Sequence, residues 1–342
     1  MSTTTDSRAR RPVVMADVAR RAGVSQQTVS RVLNGHPNVS AATKADVLAA
    51  IHDLGYRPNV AARTLVTGKT NVLGVISFDT TLYGPASMLY GIERAAHPDY
   101  FVGIASLPAF DRRSLTQAVD RFLGQAVAGL SVIAPETHAV ETLAGLSVRV
   151  PLVAVGCGAT ALVPSVKIDN VAGGAMATRH LLGLGHQTVH HISGPDSWLD
   201  ARERLDGWRQ ALRAAGVTEP QTHRGDWSAR SGYEIGLRIA TRPEVTAVFC
   251  GNDSMALGFL RAAAERGRDL PRDISVVGFD DVPEAAYFWP PLTTVRQDFG
   301  ALGAQALQLL LDQILTGGEA APVPPIVPEL VARFSSAPPP CR

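Results

Sequence analysis

The sequence predicts a small all-α helix-turn-helix head joined to a large α/β body of two doubly wound parallel-sheet lobes. Three observations carry this. Two short apolar-periodic stretches flank Gly23 near the N-terminus. Beyond Asn71 the pattern changes to short β-branched runs that alternate with amphipathic stretches. Charge is divided in the same place: residues 1–69 hold ten Lys/Arg against four Asp/Glu, and the remainder holds 22 against 27. A basic head on an acidic body points to a polyanion as the partner of the head alone.

Residues 13–34 read VVMADVARRAGVSQQTVSRVLN. Apolar or small residues at Val18, Ala19 and Ala22 share one face of a short helix, and Val29 and Val32 share a face of a second, with Val24 between them. Gly23 stands where a sharp turn needs positive φ, and Ser25 is the expected N-cap of the second helix. Two short helices joined in this way form a helix-turn-helix. The second helix would expose Gln26, Gln27, Ser30 and Arg31, side chains able to bond base edges or phosphates. A third helix, capped by Ser40, is predicted through Val47, Ile51 and Leu54 to Gly55. Pro58 then opens a short Ala-rich segment that Gly68 closes, too short for a stable helix in isolation. The predicted divisions are a head at 1–57, a short linking segment at 58–69 and a body at 70–342.

In the body, VLGVIS, FVGIAS, GLSVIA, PLVAVG, SVKID, TVHHISG, AVFCGND and ISVVGFDD read as buried strands, each ending in a small or polar residue. Helical stretches at 111–124, 171–184, 201–215 and 254–266 separate them. Such sheets bind ligands at the carboxyl ends of their strands. Asn252, Asp280, Arg204 (after the GPDSW turn) and Trp227 (in GDWSARSGY) are therefore site candidates. A carboxylate, an amide and a guanidinium around an indole suit a sugar, whose hydroxyls need paired polar partners and whose apolar face needs an aromatic surface. Asp253 and Asp281 read as caps or scaffold.

Other classes are disfavoured. No apolar run reaches 18 residues and the N-terminus lacks an apolar leader, so neither membrane spanning nor secretion is expected, and a cytoplasmic location is. Cys157, Cys250 and Cys341 are far apart and make neither a disulfide framework nor a zinc spacing. His180, His186, His190 and His191 fall on different predicted elements, so no metal is expected. GCGATA at 156–161 imitates a dinucleotide fingerprint, but Pro164 follows at once and no helix opens there. No nucleophile elbow or phosphate loop is present, and neither catalysis nor a cofactor is expected.

SQQTVSRVLNG, followed by VSAATKADVLAAI, LGYRPN and ARTLVTGKT, resembles the lactose/galactose repressor family, and the likeness continues through nearly the whole chain. The resemblance implies a DNA-binding transcriptional repressor with a periplasmic-binding-protein-like body. It places Ser25, Gln26, Gln27, Ser30, Arg31 and Asn34 on the DNA-reading element. Asn59, Ala62, Arg63 and Leu65 fall in a hinge that enters the minor groove, with Leu65 as the wedge between bases. It implies three crossings between lobes, near Asp169, Gln297 and Pro328, giving lobe one about 70–168 and 298–327 and lobe two about 169–297 and 328–342. It also matches Phe78, Pro85, Ile168, Asp200, Arg204, Trp227, Asn252, Asp280, Gln297 and Phe299 to effector-contacting positions.

Three departures alter that pocket: Gly156 stands where the family's archetype has an acid, and Phe78 and Asp200 replace small residues. The expected partners are a near-palindromic operator, a saccharide inducer and a second copy of the chain. The alternatives are a purine-type co-repressor, or a sugar-binding protein with no role on DNA. The chain ends PELVARFSSAPPPCR without leucine heptads, which favours a dimer over a tetramer.

Overall fold

The structure, a computed structural model, describes residues 11, 13–33, 35–57, 70–107, 111–134, 136–145, 148–156, 163–317 and 321–340. The predicted hinge at 58–69, and with it Asn59, Ala62, Arg63 and Leu65, lies outside the described residues, as does Asn34. The chain divides into two compact units, 1–70 and 71–342.

The described residues of the first unit form α1 (Met15–Ala22), α2 (Gln26–Leu33) and α3 (Ala41–Leu54). Gly23 ends α1 at φ 66°, the left-handed turn the sequence requires there. Ser25 caps α2, accepting from Thr28 N at 3.1 Å, and Ser40 caps α3 through Thr43 N at the same distance. Val18, Ala19, Val29, Val32, Val47, Ala50 and Tyr56 form the core. On α3 the buried partner of Val47 is Ala50, whereas Ile51 and Leu54 are only half-buried. The small Ala50 is what close helix contact tolerates.

The second unit begins with β1 (Val72–Phe78), α4 (Tyr83–Ala96), β2 (Phe101–Leu107), α5 (Arg112–Gly124), β3 (Gly129–Ile133), α6 (Thr137–Ala144), β4 (Leu152–Val155) and β5 (Ser165–Val166). It continues with α7 (Asn170–Gly183), β6 (His190–Ser193), α8 (Leu199–Ala214), β7 (His223–Arg224), α9 (Ala229–Ile239), β8 (Ala247–Cys250), α10 (Asp253–Glu265) and β9 (Ser275–Val277). A 3₁₀ turn (Pro283–Tyr287), β10 (Thr294–Arg296), α11 (Phe299–Thr316) and β11 (Glu329–Val331) complete it.

Two parallel sheets result, ordered β2-β1-β3-β4-β5 and β7-β6-β8-β9, with β10 and β11 as an antiparallel pair. The order reverses between β1 and β3 in the first sheet and between β6 and β8 in the second, where open α/β sheets form ligand crevices. The chain leaves the first sheet at 168–169, where Asp169 N donates to Ile326 O at 2.8 Å. It returns after β10, and α11 packs Leu302, Ala306, Leu309 and Leu310 against Leu73, Val75 and Val153 of the first sheet. The last segment returns to the second sheet, where Val276 N donates to Ser335 O.

Two glycines set the position of α8. A Cβ at Gly174 would lie 2.2 Å from Arg204 O, and one at Gly207 would lie 2.1 Å from Val171 O. Backbone contact of this kind between α7 and α8 holds the first turns of α8 against the β6/β8 crevice. Among the described residues no helix is long and apolar enough to cross a membrane.

Candidate functional site

On the head, α2 turns Val29 and Val32 inward. Ser25, Gln26, Gln27 and Arg31 are exposed and Ser30 is half-buried. Gln26/Ser30 and Gln27/Arg31 are i,i+4 pairs, so the four side chains make one polar face. Arg20 and Arg21, which the sequence reading does not single out, lie on α1. Arg21 is tied to Asp53 of α3 at 2.9 Å.

In the body, Arg204 is the hub. Its side chain is 5% exposed. Nε donates to Asn170 Oδ1 at 2.8 Å and Nη1 to Gly251 O at 2.6 Å, at the carboxyl end of β8. Nη2 lies 3.9 Å from an Asp200 oxygen, and Nη1 lies 3.6 Å from Asp280 Oδ1. The guanidinium also lies 3.8 Å from the centre of the Phe279 ring and 5.5 Å from that of Trp227. Gln297 Nε2 donates to Asp280 Oδ1 at 2.6 Å, and Asn170 Nδ2 donates to Asp200 Oδ1 at 3.0 Å. Burial pushes both the Asp200 and Asp280 carboxyls up to about 6, against the pull of Arg204.

Aromatic rings close one side. Trp227 meets Trp198 edge-on with centroids 5.6 Å apart, and Trp198 meets Phe78 of β1 at 6.3 Å. Trp198 also forms an antiparallel backbone bridge with Glu136. Phe78, Trp198 and Trp227 thus run from the end of the first sheet to the second. Gly194 admits the indole, since a Cβ there would lie 2.2 Å from Trp227 Cζ2.

Two polar atoms in this cluster have no protein partner: the Trp227 Nε1 donor and the Gln297 Oε1 acceptor. Both residues are more than nine-tenths buried. Trp227 (φ 72°), Asp280 (φ 113°) and Asp281 (φ 55°) also adopt positive φ. Non-glycine residues pay roughly 1–3 kcal/mol for such backbone, and the strain gathers at functional sites.

The structure therefore joins Asp200, Arg204, Trp227, Asp280 and Gln297 in one contact network and brings Phe78 to its edge through Trp198. Asn252 has a different place. Its Oδ1 caps α10 by accepting from Met255 N at 2.9 Å, and its Nδ2 donates to Trp227 O at 3.0 Å, so it holds the strained indole backbone. Phe299 meets Tyr83 edge-on at 6.0 Å and lies in the first lobe's core beside Ile168, which is 2% exposed. Pro85 is buried in the first turn of α4. Tyr83, Ser87, Tyr90, Arg94, Gln297 and Phe299 line a cleft of about 330 Å³.

Asp253 and Asp281 are scaffold. Asp253 accepts from Thr294 Oγ1 and Val282 N, and burial pushes its carboxyl well above the usual range. Asp281 pairs with Arg296 and Arg333. The residues missed by sequence reasoning are Asn170, Trp198 and the Gly251 carbonyl. Only Trp198 left a signal, as the aromatic end of GPDSW. Three of the four histidines noted in the sequence hold the fold together: His186 bonds Thr246 and Ala337 O, His180 bonds Ser336, and His191 stacks on Trp208 and Phe249. Among the described residues no three His, Cys, Asp or Glu converge as metal ligands.

Comparison with known proteins agrees with this fold. Residues 14–59 match the model for bacterial regulatory proteins of the lacI family, and 178–336 match a periplasmic binding protein-like domain. The chain is 35% identical to the lactose operon repressor of Escherichia coli K12 over 92% of this chain and 89% of that one. It is 35% identical to the HTH-type transcriptional regulator CelR of Thermobifida fusca over 92% and 95% respectively. A crystal structure of the Lac repressor dimer bound to operator and the anti-inducer ONPF superposes with a TM-score of 0.87 at 34% identity, covering 96% of this chain and all of that one. A lacI-family head followed by a periplasmic binding protein-like body is what both family matches describe, and the chain belongs to the lacI family of bacterial regulatory proteins.

Proposed function

We propose that this chain is a transcriptional repressor that reads a near-palindromic operator through α2 as a homodimer and is released by a saccharide held around Arg204, Asp280 and Trp227. The observation that carries the ligand reading is the buried Arg204–Asp280–Gln297 array, with an unmet donor on Trp227 and an unmet acceptor on Gln297 beside it. Buried polar atoms are rarely left unbonded, and a polyol supplies both acceptor and donor. The dimer reading is supported by large apolar side chains left in the open on the body, among them Phe101 (72% exposed), Tyr287 (88%) and Trp289 (92%).

An operator-release titration tests the reading. Wild-type protein on a labelled operator should dissociate as a bound sugar is added and re-form when it is dialysed away. A sugar that binds without changing operator affinity would defeat the inducer role.

The same assay tests α2. Gln27→Ala should lose discrimination at one or two base pairs of each half-site, by about 1–3 kcal/mol per lost bidentate contact. The salt slope should stay nearly constant because no charge facing phosphate is removed. Equal weakening on every sequence would show that Gln27 does not read bases.

A further inference from the structure

The charges buried around Arg204 do not cancel. Glu203 is paired with Lys167 at 2.6 Å, and Asp281 with Arg296 and Arg333. Asp253, whose carboxyl burial drives upward, accepts from Thr294 Oγ1 and Val282 N and belongs to the scaffold beneath the cluster. What remains is one guanidinium against two carboxylates, Asp200 and Asp280, both less than a tenth exposed. The guanidinium is already shared with Asn170 and the Gly251 carbonyl. Burial raises both carboxyls and Arg204 holds them down, so this one cation faces two acids and cannot neutralise both when they are ionised.

A neutral polyol can bond these carboxylates but leaves that charge uncompensated in a site poor in water, which is costly. A ligand ammonium would cancel it. The rings of Trp227, Trp198 and Phe78 run alongside, and aromatic faces also attract cations. The unpaired Trp227 Nε1 and Gln297 Oε1 independently mark the place as one that a polar ligand completes.

We propose that the saccharide bound here carries a protonated amino group, whose ammonium lies against Asp200 and Asp280 while its hydroxyls engage Trp227 Nε1 and Gln297 Oε1. The inference rests on the reading of this cleft as a saccharide site. It makes Asp200 the residue that selects the amine, since Asp280 alone would balance Arg204.

Calorimetric titration of the full chain at pH 7 tests it, with matched sets as probes. These are glucosamine, N-acetylglucosamine and glucose; the galactose equivalents; and the glucosamine β-1,4 disaccharide with cellobiose. In at least one set the free amine should bind about tenfold or more tightly than its neutral counterparts, the scale of one charge-assisted contact. Asp200→Asn should bring amine and neutral sugar to within about twofold. Thermal melting of that variant checks that it folds. A neutral sugar that binds as well as its amine overturns the proposal while leaving the saccharide reading intact. Failure of every probe to bind overturns both.

Discussion

Replacing Arg204 with Met is expected to lower the thermal stability of the body sharply and to abolish any response to ligand. The side chain is 5% exposed and stands between two buried carboxylates. Met fills much of the same volume without charge, so the loss is electrostatic rather than a cavity. Removing one partner of a buried ion pair costs about 3–5 kcal/mol because the remaining charge is left unpaired, or very roughly 6–20 °C in a unit of this size.

The penalty should also depend on pH. Asp200 and Asp280 already titrate near 6, above their ordinary value of 3.8, with Arg204 holding them down. Without the guanidinium both rise further, so the folded state retains protons that the unfolded chain releases. Stability then falls as pH rises through 4 to 6 and beyond. Melting curves at pH 5 and pH 8 should show the larger deficit at pH 8. A deficit equal at both would mean that Arg204 acts through packing alone.

Asp280→Asn should separate stability from binding. The folded-state value of about 6 exceeds 3.8, so folding takes up a proton between about pH 4 and 6 and wild-type stability declines across that window. An amide has no such decline. It retains an oxygen for Gln297 Nε2 and tolerates the left-handed backbone better than most residues. The ligand-free variant should therefore be more stable than wild type above pH 6, by on the order of 1–3 kcal/mol, with no advantage below pH 4. Ligand affinity should fall by about 1.5–3 kcal/mol, the scale of a hydrogen bond to a charged group. Repression should then persist at sugar concentrations that release the wild type. Lower stability at pH 8 would show that the Arg204 contact outweighs desolvation at this carboxylate.

Much of the fold is legible because parallel strands buried on both faces are mainly apolar runs, and β1, β4 and β8 are such runs in the sequence. The helices α4, α9 and α11 are less so. Gly91, Gly232 and Gly303 weaken their local helix signal, yet those glycines are what tertiary contact demands. A Cβ at Gly91 would lie 2.1 Å from Phe299 O, and one at Gly232 the same distance from Met255 O. The three-residue strands β10 and β11 pair across more than thirty positions, a separation that no local window covers. In the site, Arg204 and Asp280 follow recognisable strand ends. Asn170 does not, because its bonds to Arg204 and Asp200 exist only once α7 and α8 meet at Gly174 and Gly207.

The four tryptophans occupy distinct surroundings, and this makes the protein its own optical gauge. Trp208 is sealed in the core with Nε1 donating to Val189 O, so its emission should be blue-shifted and constant. Trp289, 92% exposed, should emit to the red and be quenched by iodide, a component that assembly would mask. Trp198 and Trp227 are in ring contact with each other, and Trp198 is joined to Phe78 and Glu136 of the opposite lobe. Excitation passed between these two indoles depends on their separation and tilt. Iodide-resistant emission that changes on adding ligand can therefore be assigned to this pair, and it would report ligand arriving beside Trp227 without any attached dye.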